Sequence, residues 1–140
     1  DKHALPAENV VLEITESSVV AHKGNSLGML ARLRLKGFGL SIDDYGTGLS
    51  NAARLTTAPF DELKLDKSFI QNIHDISEHS FAKSTAEIAR TLHMKTVAEG
   101  VEDQRTLDCI RELGIDQVQG FLLHKPQSFE QLMETDIRLA

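Results

Sequence analysis

Apolar and polar positions along this chain switch between two periods. Val10-Val11-Leu12-Glu13-Ile14-Thr15-Glu16 has the β-branched, apolar content of a strand. Asn25 or Ser26 caps a helix carrying Leu27, Leu30, Ala31, Leu33 and Leu35, closed by Gly37. Leu40-Ser41-Ile42-Asp43-Asp44-Tyr45-Gly46-Thr47-Gly48 reads as a buried second strand that ends on two adjacent carboxylates and runs into a glycine loop. Alternation sends Gly39, Ser41 and Asp43 to one face and Leu40, Ile42 and Asp44 to the other. Asn51 to Leu55 reads as a short helix ending before Pro59, and Leu63-Lys64-Leu65 as a third strand. The helical period returns from Ser77 to Met94, with Phe81, Thr85, Ile88 and Leu92 on one face. Thr96 to Glu102 forms a fourth strand and its exit loop. Asp103 caps a helix with Leu107, Ile110 and Leu113 inward and Gly114 as its stop. Ile115 to Leu123 is a fifth strand, and Ser128 to Gln131 has capping-box spacing for a last helix.

Strand and helix thus alternate five times, which implies parallel strands with helical crossovers. An open doubly wound sheet and a (β/α) barrel both satisfy that order. At 140 residues the chain is one domain with room for a sizeable core. Its net charge of -6 argues against coating a nucleic-acid polymer, but leaves room for a small phosphate ligand held through metal ions. The single cysteine, Cys109, cannot form an internal disulfide, which fits a reducing, cytoplasmic setting. No apolar run is long enough to span a bilayer and nothing reads as a signal peptide, so this segment is expected to make no direct membrane contact.

The acid pair is the first chemical signal. Like charges this close repel, and burial raises their pKa unless a positive charge sits nearby. A divalent cation is one solution, since hard cations prefer carboxylate oxygens; a solvated Asp-Asp turn is the other. The remaining strands weigh on that choice. Glu13 shares a face with Val11 and Thr15, Asp43 with Ser41, Glu99 with Val97, and Gln119 with Gln117, while Lys64 points away from Leu63 and Leu65. Each polar residue lies toward the C-terminal end of its strand, where α/β enzymes build their sites. Singly, each has a plain explanation: a rim acid, a snorkelling lysine, a satisfied core amide. Together they gather charge at one mouth, and buried charges need one another or a metal. His22, His74, His79, His93 and His124 lack the spacing of a zinc motif, and no serine sits on a nucleophile elbow.

Leu12-Glu13-Ile14-Thr15-Glu16, Asp43-Asp44-Tyr45-Gly46-Thr47-Gly48, Leu63-Lys64-Leu65-Asp66, Ala98-Glu99-Gly100-Val101-Glu102 and Gln119-Gly120-Phe121 with Lys125-Pro126 resemble, as an ordered set, the motifs of the EAL domain. That family comprises bacterial phosphodiesterases that open cyclic di-GMP to linear pGpG. The resemblance implies a modified (β/α)8 barrel, of which residues 1–140 are the C-terminal portion, the last five βα units. A whole barrel needs roughly 250 residues. The Glu-Ala-Leu signature and the asparagine ligand after it are not in this sequence, and Leu49 and Asn51 depart from the family's usual Tyr and Ser.

The resemblance also implies roles. Glu13 and Asp43 would be metal ligands, with Asp43 shared between two Mg²⁺ or Mn²⁺ ions and Asp44 supporting the second. Lys64 would hold the attacking water and Glu99 would be its general base or ligand. Glu102 and Gln119 would support water and metal. Glu16 would anchor the loop that contains Tyr45, Gly46, Thr47 and Gly48. Two other readings stay open: an EAL-like module that senses ligand or docks a partner without catalysis, and a phosphoacceptor receiver domain. A partial barrel is also expected to leave two open strand edges and an uncovered apolar interior, closed by the missing N-terminal half or by self-association.

Overall fold

A computed structural model describes residues 5–21, 26–47 and 55–134. A 3₁₀ turn, Ala7–Asn9, leads into β1 (Val11–Thr15), followed by α1 (Glu16–Ala21) and α2 (Ser26–Leu35). Then come β2 (Gly39–Tyr45), β3 (Glu62–Leu65), α3 (Lys67–Gln71) and α4 (Ile76–Thr91). β4 (Lys95–Glu99), α5 (Gln104–Leu113), β5 (Gln117–Gln119) and α6 (Phe129–Glu134) complete the order. None of these helices is long and apolar enough to cross a membrane.

The strands form one parallel sheet in the order β1-β2-β3-β4-β5. This sequential order decides between the two architectures. A doubly wound sheet reverses its strand order at a switch point; a barrel adds each strand beside the last. Right-handed crossovers then place every helix on the same side. On that side Leu40, Ile42, Leu63, Leu65 and Ala98 are buried against Ile70, Ile73, Ala82, Ala86, Ala89, Leu107 and Ile110.

Several expectations change. The other side of the sheet is mixed rather than uniformly apolar: beside Val11 and Val97 it carries Glu13, Thr15, Ser41, Asp43, Lys64, Gln117 and Gln119, because inward positions near the strand ends are polar. On α4 the buried seam is Ala82, Thr85, Ala86 and Ala89, while Phe81, Ile88 and Leu92 flank it half-buried. Small residues let the helix lie close to the strands, so the largest side chains are displaced to the flanks. Glu16 opens α1 rather than closing β1. The fifth strand is short: it stops at Gln119, and the chain turns with Leu123 and His124 N–H donating to the Gly120 carbonyl. Gly120 lies directly on the Val101 backbone, where an added Cβ would sit 2.1 Å from the Val101 oxygen. The predicted helix from Asn51 lies outside the described residues except for Leu55. α3 was not expected; its signal is Asp66, whose carboxylate accepts from the Ser68 N–H at 2.9 Å as an N-cap.

Two aspartates hold the N-terminal ends of the strands. Asp61, just before β3, accepts from the Leu40 N–H of β2 at 3.0 Å and pairs with Arg34 at 2.6 Å. Asp116, just before β5, accepts from both the N–H and the hydroxyl of Thr96 on β4, each at 2.8 Å. The Thr96 amide holds the Asp116 carboxyl below the usual range; partial burial opposes this and the Thr96 hydroxyl assists it. A depressed folded pKa stabilises above the ordinary aspartate value, and the contribution is lost as pH falls through the folded value. In the full-length protein, Asp116→Ala should therefore cost about 1–2 kcal/mol at neutral pH, because it orphans a buried amide. Urea denaturation should show that difference shrinking below about pH 4.

Candidate functional site

Strand pairing sets the site. Glu13 pairs with Ser41 and Thr15 with Asp43; Ser41 pairs with Glu62, two residues before Lys64. Lys64 pairs with Val97, and Glu99 with Gln119. Glu13, Asp43, Lys64, Glu99 and Gln119 thus occupy one face of the sheet, the face opposite the described helices.

Asp44 would leave that face by simple alternation. It does not, because β2 carries an extra residue there. Ile42 pairs with Leu63 but Tyr45 with Leu65, so β2 spends three steps where β3 spends two. Asp44 takes φ +55°, a left-handed conformation that Asp tolerates better than most residues. The bulge returns Tyr45 to the core side, where it is buried beside Phe81. Burial raises the Tyr45 phenol's pKa, and the charge of Glu16 adds to the effect.

The consequence is a knot of charge. Asp43, Asp44 and Glu99 offer carboxylate oxygens within 4.8 Å of one another, a group close enough to share a cation. Glu13 stands outside that group, its side chain about half exposed (53%). Lys64, whose side chain is only 7% exposed, reaches Glu99 at 2.6 Å, Glu13 at 2.9 Å and Asp43 at 3.3 Å. Burial alone would lower the Lys64 pKa. Hydrogen bonds to Glu99 and Glu13, with the charges of Glu99 and Asp43, outweigh it and hold the ammonium firmly protonated. One cation still does not satisfy the acids: among the described residues Asp43 Oδ1 is buried without a hydrogen-bond partner, its 3.3 Å approach to Lys64 being an ion pair out of hydrogen-bond alignment. A buried, unpartnered carboxylate oxygen beside two more carboxylates fits a hard divalent ion.

The loop after the acid pair is tied down. Thr47 donates to the Asp44 carbonyl through its N–H at 3.3 Å and its hydroxyl at 2.9 Å. Buried Glu16 accepts from the Gly46 N–H at 3.3 Å. Gly48 lies outside the described residues. Beside Glu99 opens a cleft of about 300 Å³ lined by Lys67, Gln71, Gly100, Glu102, Gln119, Gly120 and Phe121. Glu102 and Gln119 are exposed on its wall, and the Gln119 carbonyl accepts from the Val101 N–H at 3.1 Å. Gly100 takes φ +72°, and a Cβ there would fall 2.6 Å from the Lys67 Cβ, so the chain after Glu99 packs tightly on α3. Phe121 belongs to the Gln119-Gly120-Phe121 motif, whereas Lys67 and Gln71 do not stand out in the sequence. The signal was the Asp66 cap, which starts α3 one residue before Lys67 and sets Gln71 one turn on, on the same side.

The EAL domain family model matches residues 1–126. The chain belongs to the EAL domain family. It is 39% identical over 133 residues to the bifunctional diguanylate cyclase/cyclic di-GMP phosphodiesterase MucR of Pseudomonas aeruginosa, covering 94% of this chain and 19% of that protein. Among solved structures, the MucR phosphodiesterase in complex with c-di-GMP superimposes with a TM-score of 0.88 at 39% identity, over 94% of this chain and 53% of that one. A manganese/c-di-GMP complex of Klebsiella pneumoniae BlrP1 gives 0.80 at 32% identity, over 84% and 30%. The chain therefore spans about a fifth of MucR and about half of its solved phosphodiesterase chain, and its sheet corresponds to part of an EAL barrel.

Removing the central ammonium tests the charge balance of this EAL sheet. Lys64→Met in the full-length protein should lower stability by about 2–3 kcal/mol, at or below the range for a fully buried pair because Glu13 is half exposed. Saturating Mn²⁺ should raise the variant's melting temperature more than the wild type's.

Proposed function

We propose that the full-length protein containing this chain hydrolyses cyclic di-GMP to linear pGpG, and that residues 1–140 supply the C-terminal, acid-bearing part of its barrel. The observation that carries this reading is the convergence of Asp43, Asp44 and Glu99 at the C-terminal strand ends, with Lys64 ion-paired to Asp43 and Glu99. The phosphodiesterase names and c-di-GMP complexes of EAL relatives support it.

Glu13, Asp43 and Asp44 would hold two Mg²⁺ or Mn²⁺ ions, which supply charge shielding at the phosphoryl oxygens and acidify water. The manganese complex of BlrP1 supports that choice of cation. Every other role belongs to the side chains. Glu99 takes the proton from the attacking water as general base. Lys64, 2.6 Å from Glu99, donates to that water and faces the negative charge that grows at phosphorus. Glu102 and Gln119 line the cleft beside Glu99 and orient water and substrate there. Glu16 steadies the loop of Tyr45, Gly46, Thr47 and Gly48 through the Gly46 amide. The N-terminal half of the barrel, or a second copy, covers the free edges of β1 and β5.

Glu99→Gln in the full-length protein should lower kcat by about 10²- to 10⁴-fold, the usual contribution of a general base, while cyclic di-GMP binding persists. Chromatographic assay of pGpG with a parallel binding titration checks both; normal turnover would remove Glu99 from the chemistry. The 140-residue chain by itself should show negligible metal-dependent hydrolysis in the same assay.

A further inference from the structure

We infer that Phe81, stacked on Phe69, is a positioning residue for the Asp43–Asp44 pair, and that it does so through the backbone of Gly46. The inference rests on the metal reading above and extends it to a residue on the helix side of the sheet.

Asp44 holds φ +55°, a left-handed conformation uncommon for a residue with a side chain though Asp adopts it more readily than most, so its neighbours bear on how firmly it is held. The next residue but one shows what holds it. Gly46 has φ +101°, and a Cβ built there would fall 2.5 Å from Phe81 Cζ and 2.9 Å from Phe69 Cε2. The Gly46 backbone therefore rests on two rings, which stack with centroids 4.5 Å apart. Phe81 also lies 6.2 Å from the Tyr45 ring. The Gly46 N–H is meanwhile taken by Glu16.

The rings come from the right places to matter. Phe69 is on α3, directly after the strand that bears Lys64; Phe81 is on α4, directly before the strand that bears Glu99. The ring pair thus ties the helix that follows the Lys64 strand and the helix that precedes the Glu99 strand to the Gly46 backbone just after the acid pair. Phe81 is only half-buried and lies off the buried alanine seam, so its place is not dictated by the core alone. Its Cζ points at Gly46, which makes the contact sensitive in both directions. Leucine withdraws the flat ring, and tyrosine adds an oxygen where there is no room.

The test is Mn²⁺ binding to the full-length protein, measured by calorimetry, with thermal melting alongside. Phe81→Leu and Phe81→Tyr should each weaken Mn²⁺ binding by about tenfold, the scale seen when a partner that orients metal ligands is lost. Ile88→Ala, at a half-buried position two turns further along the same helix, should lower the melting temperature yet keep Mn²⁺ affinity within about twofold of wild type, as expected of a packing change remote from the ligands. Wild-type affinity in either Phe81 variant that folds would overturn the inference. So would an equal loss of affinity in Ile88→Ala, since the effect would then follow stability. Failure of both Phe81 variants to fold beside a folded Ile88→Ala would mark Phe81 as a packing residue and overturn it as well. Absence of Mn²⁺ binding by the wild type is a different result: it would remove the metal reading itself.

Discussion

β2 contains one residue more than its neighbour requires, and the arrangement of the acid rim follows from it. In a regular strand Asp43 and Asp44 would point to opposite sides, one into the helix-covered core as a costly buried charge. The step from Ile42 to Tyr45 across two residues of β3 absorbs the extra unit at Asp44. Both carboxylates then serve the polar face, and Tyr45 fills the core position that Asp44 would have occupied. A local irregularity in pairing thus does what no choice of side chain in a regular strand can do.

Concentrating acids in this way has an electrostatic cost, and Lys64 limits it. Its ammonium is fixed between carboxylates from β1, β2 and β4, so β3 acts as the positive spine of the rim. Neutralisation is incomplete, since among the described residues Asp43 keeps a buried oxygen without a hydrogen-bond partner. The sheet is balanced enough to fold around its acids while keeping an attraction for further positive charge.

Much of this was legible in the residues. The five strands, their parallel order and the placement of Glu13, Asp43, Lys64, Glu99 and Gln119 on one face follow from period-two parity and from helices between strands. What escaped has definite physical reasons. Parity assumes an unbroken ladder, so Asp44 was sent to the wrong face. Helical periodicity ranks large apolar residues first, so the face of Phe81, Thr85, Ile88 and Leu92 catches Thr85 of the buried seam but not the alanines beside it. Five residues of α3 are too few to show a period, so Lys67 and Gln71 were not connected with the cleft. The interior was expected to be apolar because partial barrels expose their core; here Val11 and Val97 keep part of it apolar, while the positions nearest the rim are polar.

The aspartates at the start of β3 and β5 carry a consequence of a different kind. Asp61 and Asp116 fasten adjacent strands at the end of the sheet remote from Glu99 and Asp43. Strand fastening and the acid rim thereby lie at opposite poles of the same strands. A lineage that lost Glu99 or Asp44 would keep every one of those fastenings, so the scaffold can survive changes at its acid rim without first being rebuilt.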